Sequence, residues 1–313
     1  MKVVWGLGEL PGLLADLGIH APLLVASRRW NGLGLPAAAR WDEVPSHRIE
    51  VPDGVDGILA VGGGSAIDTA KAASAASGLP VVSVPTTYSG SEWSQFFGVR
   101  DPDRRMRGGG GGAKLAGIVY EPELTLDLSR ETTAGTALNA LAHCAEALYV
   151  RGRDEAADGV ALEGARIISD ALPRVLEHPD DRAARRDLLL GAARAGEALG
   201  RSGLALGHAM AQALGGRYGL PHGVLNAICL PPALRFNAEF LPPAFGEALG
   251  TDDPAARVEE LARLGGIGRL RDLGIPREDL PEVAELVAPR PGSRANPRPA
   301  SPAEILTLLE NVF

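Results

Sequence analysis

Three of the six histidines stand where a shared site can be built. Asn139 and His143 are four residues apart in a run with helical periodicity, so they project from one face. His208 and Gln212 repeat that spacing in a second run, and His222 follows in the turn-like segment Gly219-Leu220-Pro221-His222-Gly223. Imidazole can give or take a proton near neutral pH and can ligate a metal. Converging histidines would therefore hydrogen-bond a substrate oxygen or protonate it. The competing reading for each is a core histidine whose polar atoms are satisfied. Tyr88 is a further candidate donor, and Arg217 is either a partner for a substrate carboxylate or an exposed helix-end charge.

A second kind of chemistry belongs to the segment Val61-Gly62-Gly63-Gly64-Ser65, where an apolar run passes through three glycines into AIDTAK. Glycines let backbone N–H groups approach a diphosphate, and a helix N-terminus adds partial positive charge. A dinucleotide pyrophosphate fits such a turn, although a tight strand-to-helix turn without a ligand has the same composition. The GxGxxG pattern itself is missing. Further on, Pro85-Thr86-Thr87-Tyr88-Ser89-Gly90-Ser91-Glu92 gathers hydroxyls where a parallel strand should end, the edge at which ligands bind in open α/β sheets. Those hydroxyls either meet a ribose and carboxamide or satisfy their own backbone. After Leu23–Ala26 come Ser27, Arg28 and Arg29, with no acid to receive a ribose 2′-hydroxyl, so Ser27 and Arg28 favour NADP(H) over NAD(H).

The elements that must hold these groups change character along the chain. Up to about Leu128, short β-rich runs alternate with Gly/Pro punctuation, and strands are expected at Val3–Trp5, Leu23–Ala26, Gly57–Val61, Val81–Pro85 and Gly117–Tyr120. From Ser129 the runs lengthen with helical periodicity. The chain of 313 residues, 45% hydrophobic, has room for two domains. The expected division is 1–128, a dinucleotide-binding α/β domain, and 129–313, a helical substrate or metal-site domain. The pentaglycine Gly108–Gly112 reads as a flexible surface loop. A net charge of −8 without a basic stripe disfavours a nucleic-acid partner. Two cysteines, Cys144 and Cys229, give no disulfide scaffold, and no signal-like or membrane-spanning run stands out, so a soluble cytoplasmic protein is expected.

Taken together, GGGSAIDTAK, PTTYSGSE, YEPELTLDL, NALAHCAEALYV, GHAMAQALGGRYGLPHGVLNAICLP and NPRPASPAEI resemble the iron-containing alcohol dehydrogenase superfamily. Within it, the TTYSGSE and NALAHCAEALY segments are most similar to the maleylacetate reductases. The resemblance spans nearly the whole chain and implies a dehydroquinate-synthase-like fold: an N-terminal nucleotide-binding α/β domain and an all-α C-terminal domain, with cofactor and substrate in the cleft between. It also implies that Gly63, Gly64, Ser65 and Asp68 serve the pyrophosphate, and that Thr86, Thr87 and Ser91 line the adenosine and nicotinamide parts of the pocket. In metal-dependent members an Asp and three His hold a divalent ion, zinc or iron; here those positions read Asn139, His143, His208 and His222, a degenerate set. The maleylacetate reductases share that Asn and are thought to work without metal.

Three departures accompany the resemblance. A second family histidine is Gln212 here, which cannot act as a general acid near neutral pH. The stretch between Leu23 and Val61 shows no full strand–helix unit. The family's basic residue before the YDP-like strand is unassigned among Arg104, Arg105, Arg107 and Lys114. The leading expectation is an NAD(P)H-dependent, metal-independent reductase, a homodimer by family habit, acting on an activated C=C or C=O of a small anionic substrate. The alternatives are a metal-dependent alcohol dehydrogenase of a biosynthetic pathway and a non-catalytic subunit supporting a partner protein in a natural-product or peptide-tailoring complex.

Overall fold

Runs that are apolar on consecutive residues, such as Leu23–Ala26 and Ile58–Val61, suit strands buried from both sides, as in parallel sheets flanked by helices. The computed structural model, which describes residues 1–103 and 105–313, has this arrangement; Arg104 lies outside the described residues. The chain divides into two compact units, Met1–Asp127 and Leu128–Phe313.

In the first unit, β1 (Lys2–Trp5), α1 (Leu10–Asp16), β2 (Pro22–Ala26), β3 (Ala39–Trp41), β4 (Gly57–Gly62), α2 (Gly64–Ser77) and β5 (Pro80–Pro85) follow in order. Then come β6 (Phe97–Arg100), β7 (Met106–Gly110) and β8 (Lys114–Tyr120). Six strands form a parallel sheet in the order β1-β8-β5-β4-β2-β3. Alternate residues feed opposite faces. Leu24, Leu59 and Val82 pack on one side with Leu10, Leu13 and Leu14 of α1. Leu23, Val25, Ile58 and Val81 pack on the other with Ile67, Ala70 and Ala73 of α2. The neighbours β2 and β4 pass the chain on in opposite directions, β2 to β3 and β4 to β5, so the strand order reverses between them, the place where open α/β sheets receive ligands.

All five expected strands form. Two regions differ from expectation or refine it. The pentaglycine is not wholly a loop: Gly108, Gly109 and Gly110 belong to β7 and pair antiparallel with Val99, Gly98 and Phe97 of β6. A ladder needs only backbone groups, and glycine is required here because a Cβ on Gly109 would lie 2.8 Å from the Phe97 carbonyl oxygen. Between β2 and β4, the described residues 27–56 hold only the 3-10 turn Arg28–Leu33 and the three-residue β3, so no full strand–helix unit forms there.

A buried cation organises the segment after β5. Lys71 of α2 is 1% exposed, and its ammonium donates to Ser91 Oγ (2.9 Å) and to the carbonyls of Ser91 (2.8 Å), Ser94 (3.3 Å) and Phe96 (2.5 Å). Asp68 completes the knot, 2.9 Å from Lys71 and accepting from the Ser91 hydroxyl (2.6 Å) and the Gly98 amide (3.2 Å). Beside it, Trp93 Nε1 donates to the Tyr120 hydroxyl (2.8 Å), which donates to Glu92 Oε1 (2.7 Å). Glu92 Oε2 is buried without a partner.

The second unit is helical: α3 (Arg130–Ala147), α4 (Asp158–Glu177), α5 (Arg182–Ser202), α6 (Leu206–Tyr218), α7 (His222–Phe236), α8 (Pro243–Leu249), α9 (Pro254–Leu264), α10 (Leu280–Val287), α11 (Pro291–Ala295) and α12 (Pro302–Asn311). The Ser129 hydroxyl accepts from the Thr132 amide and caps α3, whose later turns are buried on all sides. Small residues make that possible. A Cβ on Gly223 would lie 2.8 Å from the Gly135 carbonyl, so α3 and α7 touch backbone to backbone. Cys144 and Cys229 are both buried and free. Among the described residues, no helix is long and apolar enough to cross a membrane.

Burial holds the Glu92 carboxyl above its ordinary range, against the opposing pull of its own backbone hydrogen bond, Tyr120 and Lys71. A carboxyl whose folded pKa is raised contributes stability that is complete below the unfolded value and is lost as pH rises through the folded one. Urea unfolding of wild type and Glu92→Gln at pH 4.5 and pH 8 should therefore show the variant gaining relative stability as pH rises. A difference that stays constant, or moves the other way, contradicts this assignment.

Candidate active site

One face of α3 carries Asn139, His143 and Glu146, spaced by four and three residues. The Gly135–Gly223 contact sits one turn before Asn139 and brings the first turn of α7, with His222, against that face. His208 enters from the first turn of α6. The three imidazoles meet: the His143 and His208 rings stack at 4.8 Å with 16° between planes, and His222 lies 5.8 Å from His208, tilted by 53°.

The polar atoms around them are unequally satisfied. Glu146, fully buried, lies 2.7 Å from His208 Nδ1. Asn226 Nδ2 donates to Asn139 Oδ1 (2.7 Å) and faces His222 Nε2 (2.9 Å). His143 Nδ1 and His208 Nε2 are buried without a hydrogen-bond partner. Leaving such atoms unpaired costs about 1–3 kcal/mol each, the kind of local debit found where a ligand is received. Burial pushes His143 well below the usual imidazole range, and the neighbouring His208 and His222 push it further, so the ring is neutral at pH 7.

A divalent cation does not fit this donor set. Asn139 supplies a neutral carbonyl that already accepts from Asn226, and His222 Nε2 faces the same amide. Among the described residues, no group of three or more His, Cys, Asp or Glu is arranged to hold a metal ion.

In the first unit the glycine turn meets the hydroxyl loop. Gly63 caps α2 with no side-chain cap bond, the Thr86 amide donates to the Gly62 carbonyl (3.0 Å), and a Cβ on Gly63 would lie 2.9 Å from Thr87 Cγ2. The turn therefore presents bare backbone at a helix N-terminus, with Gly64 and half-buried Thr87 beside it and Ser65 exposed. Thr86 is buried, and Thr87 Oγ1 has no partner. Asp68 and Ser91 are engaged with each other and with Lys71. Ser27 precedes the turn after β2, and the exposed Arg28 donates through Nε to Asp42 (2.7 Å).

Tyr88 does not take the place expected of it as a donor at the site. It is fully buried in the first unit, and its hydroxyl donates to Thr125 Oγ1 (3.1 Å), which removes it from reach of a ligand. Arg217 is bound to Glu282 (2.5 Å) and Asp279 (3.2 Å), so the helix-end reading holds. Gln212 is half-buried on α6. Of the basic residues around the pentaglycine, Arg107 pairs with Asp101 (Nε to Oδ2, 2.7 Å), while Arg105 and Lys114 are exposed. Sequence reasoning missed Asn226 and Glu146, although both stand at helical spacing from a chosen residue, Asn226 four after His222 and Glu146 three after His143.

The sequence profile of the Fe-containing alcohol dehydrogenase family, C-terminal, matches residues 133–313, and that of iron-containing alcohol dehydrogenase matches residues 50–115. The chain belongs to the iron-containing alcohol dehydrogenase family. It is 34% identical to the maleylacetate reductase of Pseudomonas knackmussii, covering all of this chain and 95% of that protein, over an alignment of 337 positions. It is 37% identical to the maleylacetate reductase of Burkholderia cepacia over 83% of this chain and 74% of that one. Among solved structures it is similar to an iron-containing alcohol dehydrogenase of Corynebacterium glutamicum, with TM-score 0.89, 29% identity, and coverage of 100% of this chain and 94% of that one. It is likewise similar to the maleylacetate reductase of Rhizobium sp. strain MTP-10005, with TM-score 0.86, 30% identity, and 100% and 95% coverage. This member of the family is an NAD(P)H-dependent oxidoreductase.

Asn226 is a structural test of the site. Asn226→Ala removes the donor to Asn139 and the partner of His222 Nε2, and should lower the free energy of unfolding in urea by about 1–3 kcal/mol. A loss within experimental error contradicts the bridging role.

Proposed function

We propose that this protein is a metal-independent reductase that transfers hydride from NADPH to maleylacetate or a closely related small unsaturated oxo-acid. The observation that carries the reading is the buried imidazole cluster, in which His143 Nδ1 and His208 Nε2 are hydrogen-bonding atoms without protein partners. The identity to maleylacetate reductases over the whole chain supports the substrate class.

The nicotinamide, when bound, supplies the hydride. The protein's own residues bind, orient and handle charge. Gly63 and Gly64 offer backbone N–H groups, and the α2 N-terminus offers partial positive charge, to a pyrophosphate. Ser65, Thr86 and Thr87 lie at the same strand ends and serve the adjoining parts of the nucleotide. Asp68 and Ser91 act one step back, holding the hydroxyl loop through Lys71. Ser27 and Arg28 lie at the sheet's switch point; Arg28 keeps an exposed guanidinium that suits a 2′-phosphate, while Asp42 holds its Nε.

At the imidazole cluster, hydride added to the alkene carbon β to the oxo group would leave an enolate, whose negative charge lies on the substrate oxygen until a proton is taken up. His143, His208 and His222 hydrogen-bond that oxygen, and His208 can deliver a proton from Nε2 when its ring is charged. Gln212 takes no proton-transfer role. No step requires a Lewis acid, because imidazole donors cover the charge that a cation would otherwise neutralise.

His208→Ala and His222→Ala should each lower kcat/KM for maleylacetate by about 100-fold or more, the usual scale for a lost general acid or a lost oxyanion donor, with NADPH binding by fluorescence titration unchanged. Full turnover in both variants overturns the site, and a protein that binds neither NADPH nor NADH overturns the enzyme reading.

Activity should survive exhaustive chelation, and Asn139→Asp should bind Co2+ at least tenfold more tightly than wild type in a spectroscopic titration, because a carboxylate adds the charge that the site lacks. Wild-type protein holding a stoichiometric metal contradicts metal independence.

A further inference from the structure

Burying a carboxylate without a cation is strongly unfavourable unless hydrogen bonds replace its hydration. Glu146 is 0% exposed in the middle of the helical unit, and among the described residues no lysine or arginine lies within ion-pair distance of it. Its hydrogen bonds come from one place, the start of α6. Oε1 accepts from the His208 amide (3.1 Å), and Oε2 accepts from the Ala205 amide (2.6 Å) and meets His208 Nδ1 at 2.7 Å. The carboxylate therefore sits at the positive end of a 13-residue helix, where negative charge is favoured.

Sequence and packing make room for it. A Cβ on Gly207 would lie 2.9 Å from Glu146 Oε1, so a larger residue there would force the carboxylate to shift from its place against the two amides. Its charge is felt nearby: after burial itself, Glu146 is the next cause that raises the Tyr149 hydroxyl and the Cys229 thiol above their ordinary ranges.

An ionised carboxylate only accepts hydrogen bonds. The proton between Glu146 and His208 is therefore carried by Nδ1, which leaves Nε2 of the neutral ring as a lone-pair atom, the same Nε2 that is buried without a partner. We propose that Glu146 is a positioning residue, which locks His208 in the Nδ1–H tautomer and fixes its ring so that Nε2 is the atom that takes up a proton and, once charged, donates it to the substrate oxygen. This rests on the proposed role of His208. The logic is that of a carboxylate that orients a catalytic imidazole without touching the substrate. His143, stacked on the same ring at 4.8 Å, restrains it from one face, so that Glu146 controls rotation in the plane.

The decisive measurement is a long-range proton–nitrogen NMR correlation on wild-type protein labelled with 15N-histidine, with the His208 signals assigned by their loss in His208→Asn. At a pH where the ring is neutral, Nδ1 should show the protonated shift and Nε2 the lone-pair shift. The opposite pattern overturns the proposal whatever the kinetics show. In Glu146→Gln, whose amide cannot accept from both backbone groups and the ring together, kcat should fall at least 50-fold while KM for NADPH changes less than threefold. Glu146→Asp should recover part of that loss, and a Glu146→Gln enzyme with wild-type kcat overturns the role. Should His208→Ala retain full activity while the wild-type spectrum shows Nδ1–H, the functional reading fails and the tautomer assignment stands, so the two failures are distinct.

Discussion

The contact between Gly135 and Gly223 is the constraint on which the site depends. Two helices normally keep their axes 8–10 Å apart because side chains fill the space between them. Here backbone meets backbone, and the side chains one turn further on, Asn139 on α3 and His222 and Asn226 on α7, come within hydrogen-bonding range as a result. Gly207 repeats the device where α6 approaches Glu146. A side chain at Gly135 or Gly223 would push a helix outward and pull His222 away from its neighbours, and one at Gly207 would displace the Glu146 carboxylate.

With the helices this close, some polar atoms between them are engaged and others, Asn226 Oδ1 among them, are buried without a partner. Glu146 and Asn226 take up Nδ1 of one imidazole and face Nε2 of another, while His143 and His208 each retain a buried nitrogen without a partner. Buried nitrogens left unpaired in this way suit a place that receives a ligand. The first unit uses the complementary strategy. Its candidate ligand surface is made of bare backbone at Gly63 and Gly64, and Lys71 holds the neighbouring loop from beneath through the carbonyls of Ser91, Ser94 and Phe96.

Features with a short-range signature were legible from the chain. The five principal strands followed from uninterrupted apolar runs, the glycine turn from its place between strand and helix, and the pairing of Asn139 with His143 from helical period. Glu146 and Asn226 carried the same kind of spacing but were passed over, because polar residues within helices are commonly solvent-facing and only packing showed that both are buried. Lys71 gave no sign of its burial, since a lysine on a helix is ordinarily exposed. Tyr88 sat in the right segment, yet its side chain turned to Thr125 and the core. The glycine strand β7 had no sequence signal, because its pairing with β6 rests on backbone alone.

The amino-acid sequence by itself determined the family, the five principal strands, the glycine turn between strand and helix and the helical spacing of Asn139 and His143, since each is set by residue type and local spacing. The tertiary structure alone decided which polar atoms meet: Asp42 with Arg28, Asn226 with Asn139, and Glu146 with the first turn of α6. The physical reason is distance along the chain. These partners lie from 14 to 87 residues apart, and nothing local specifies a hydrogen bond until close packing at a few glycines has brought the elements that carry them together.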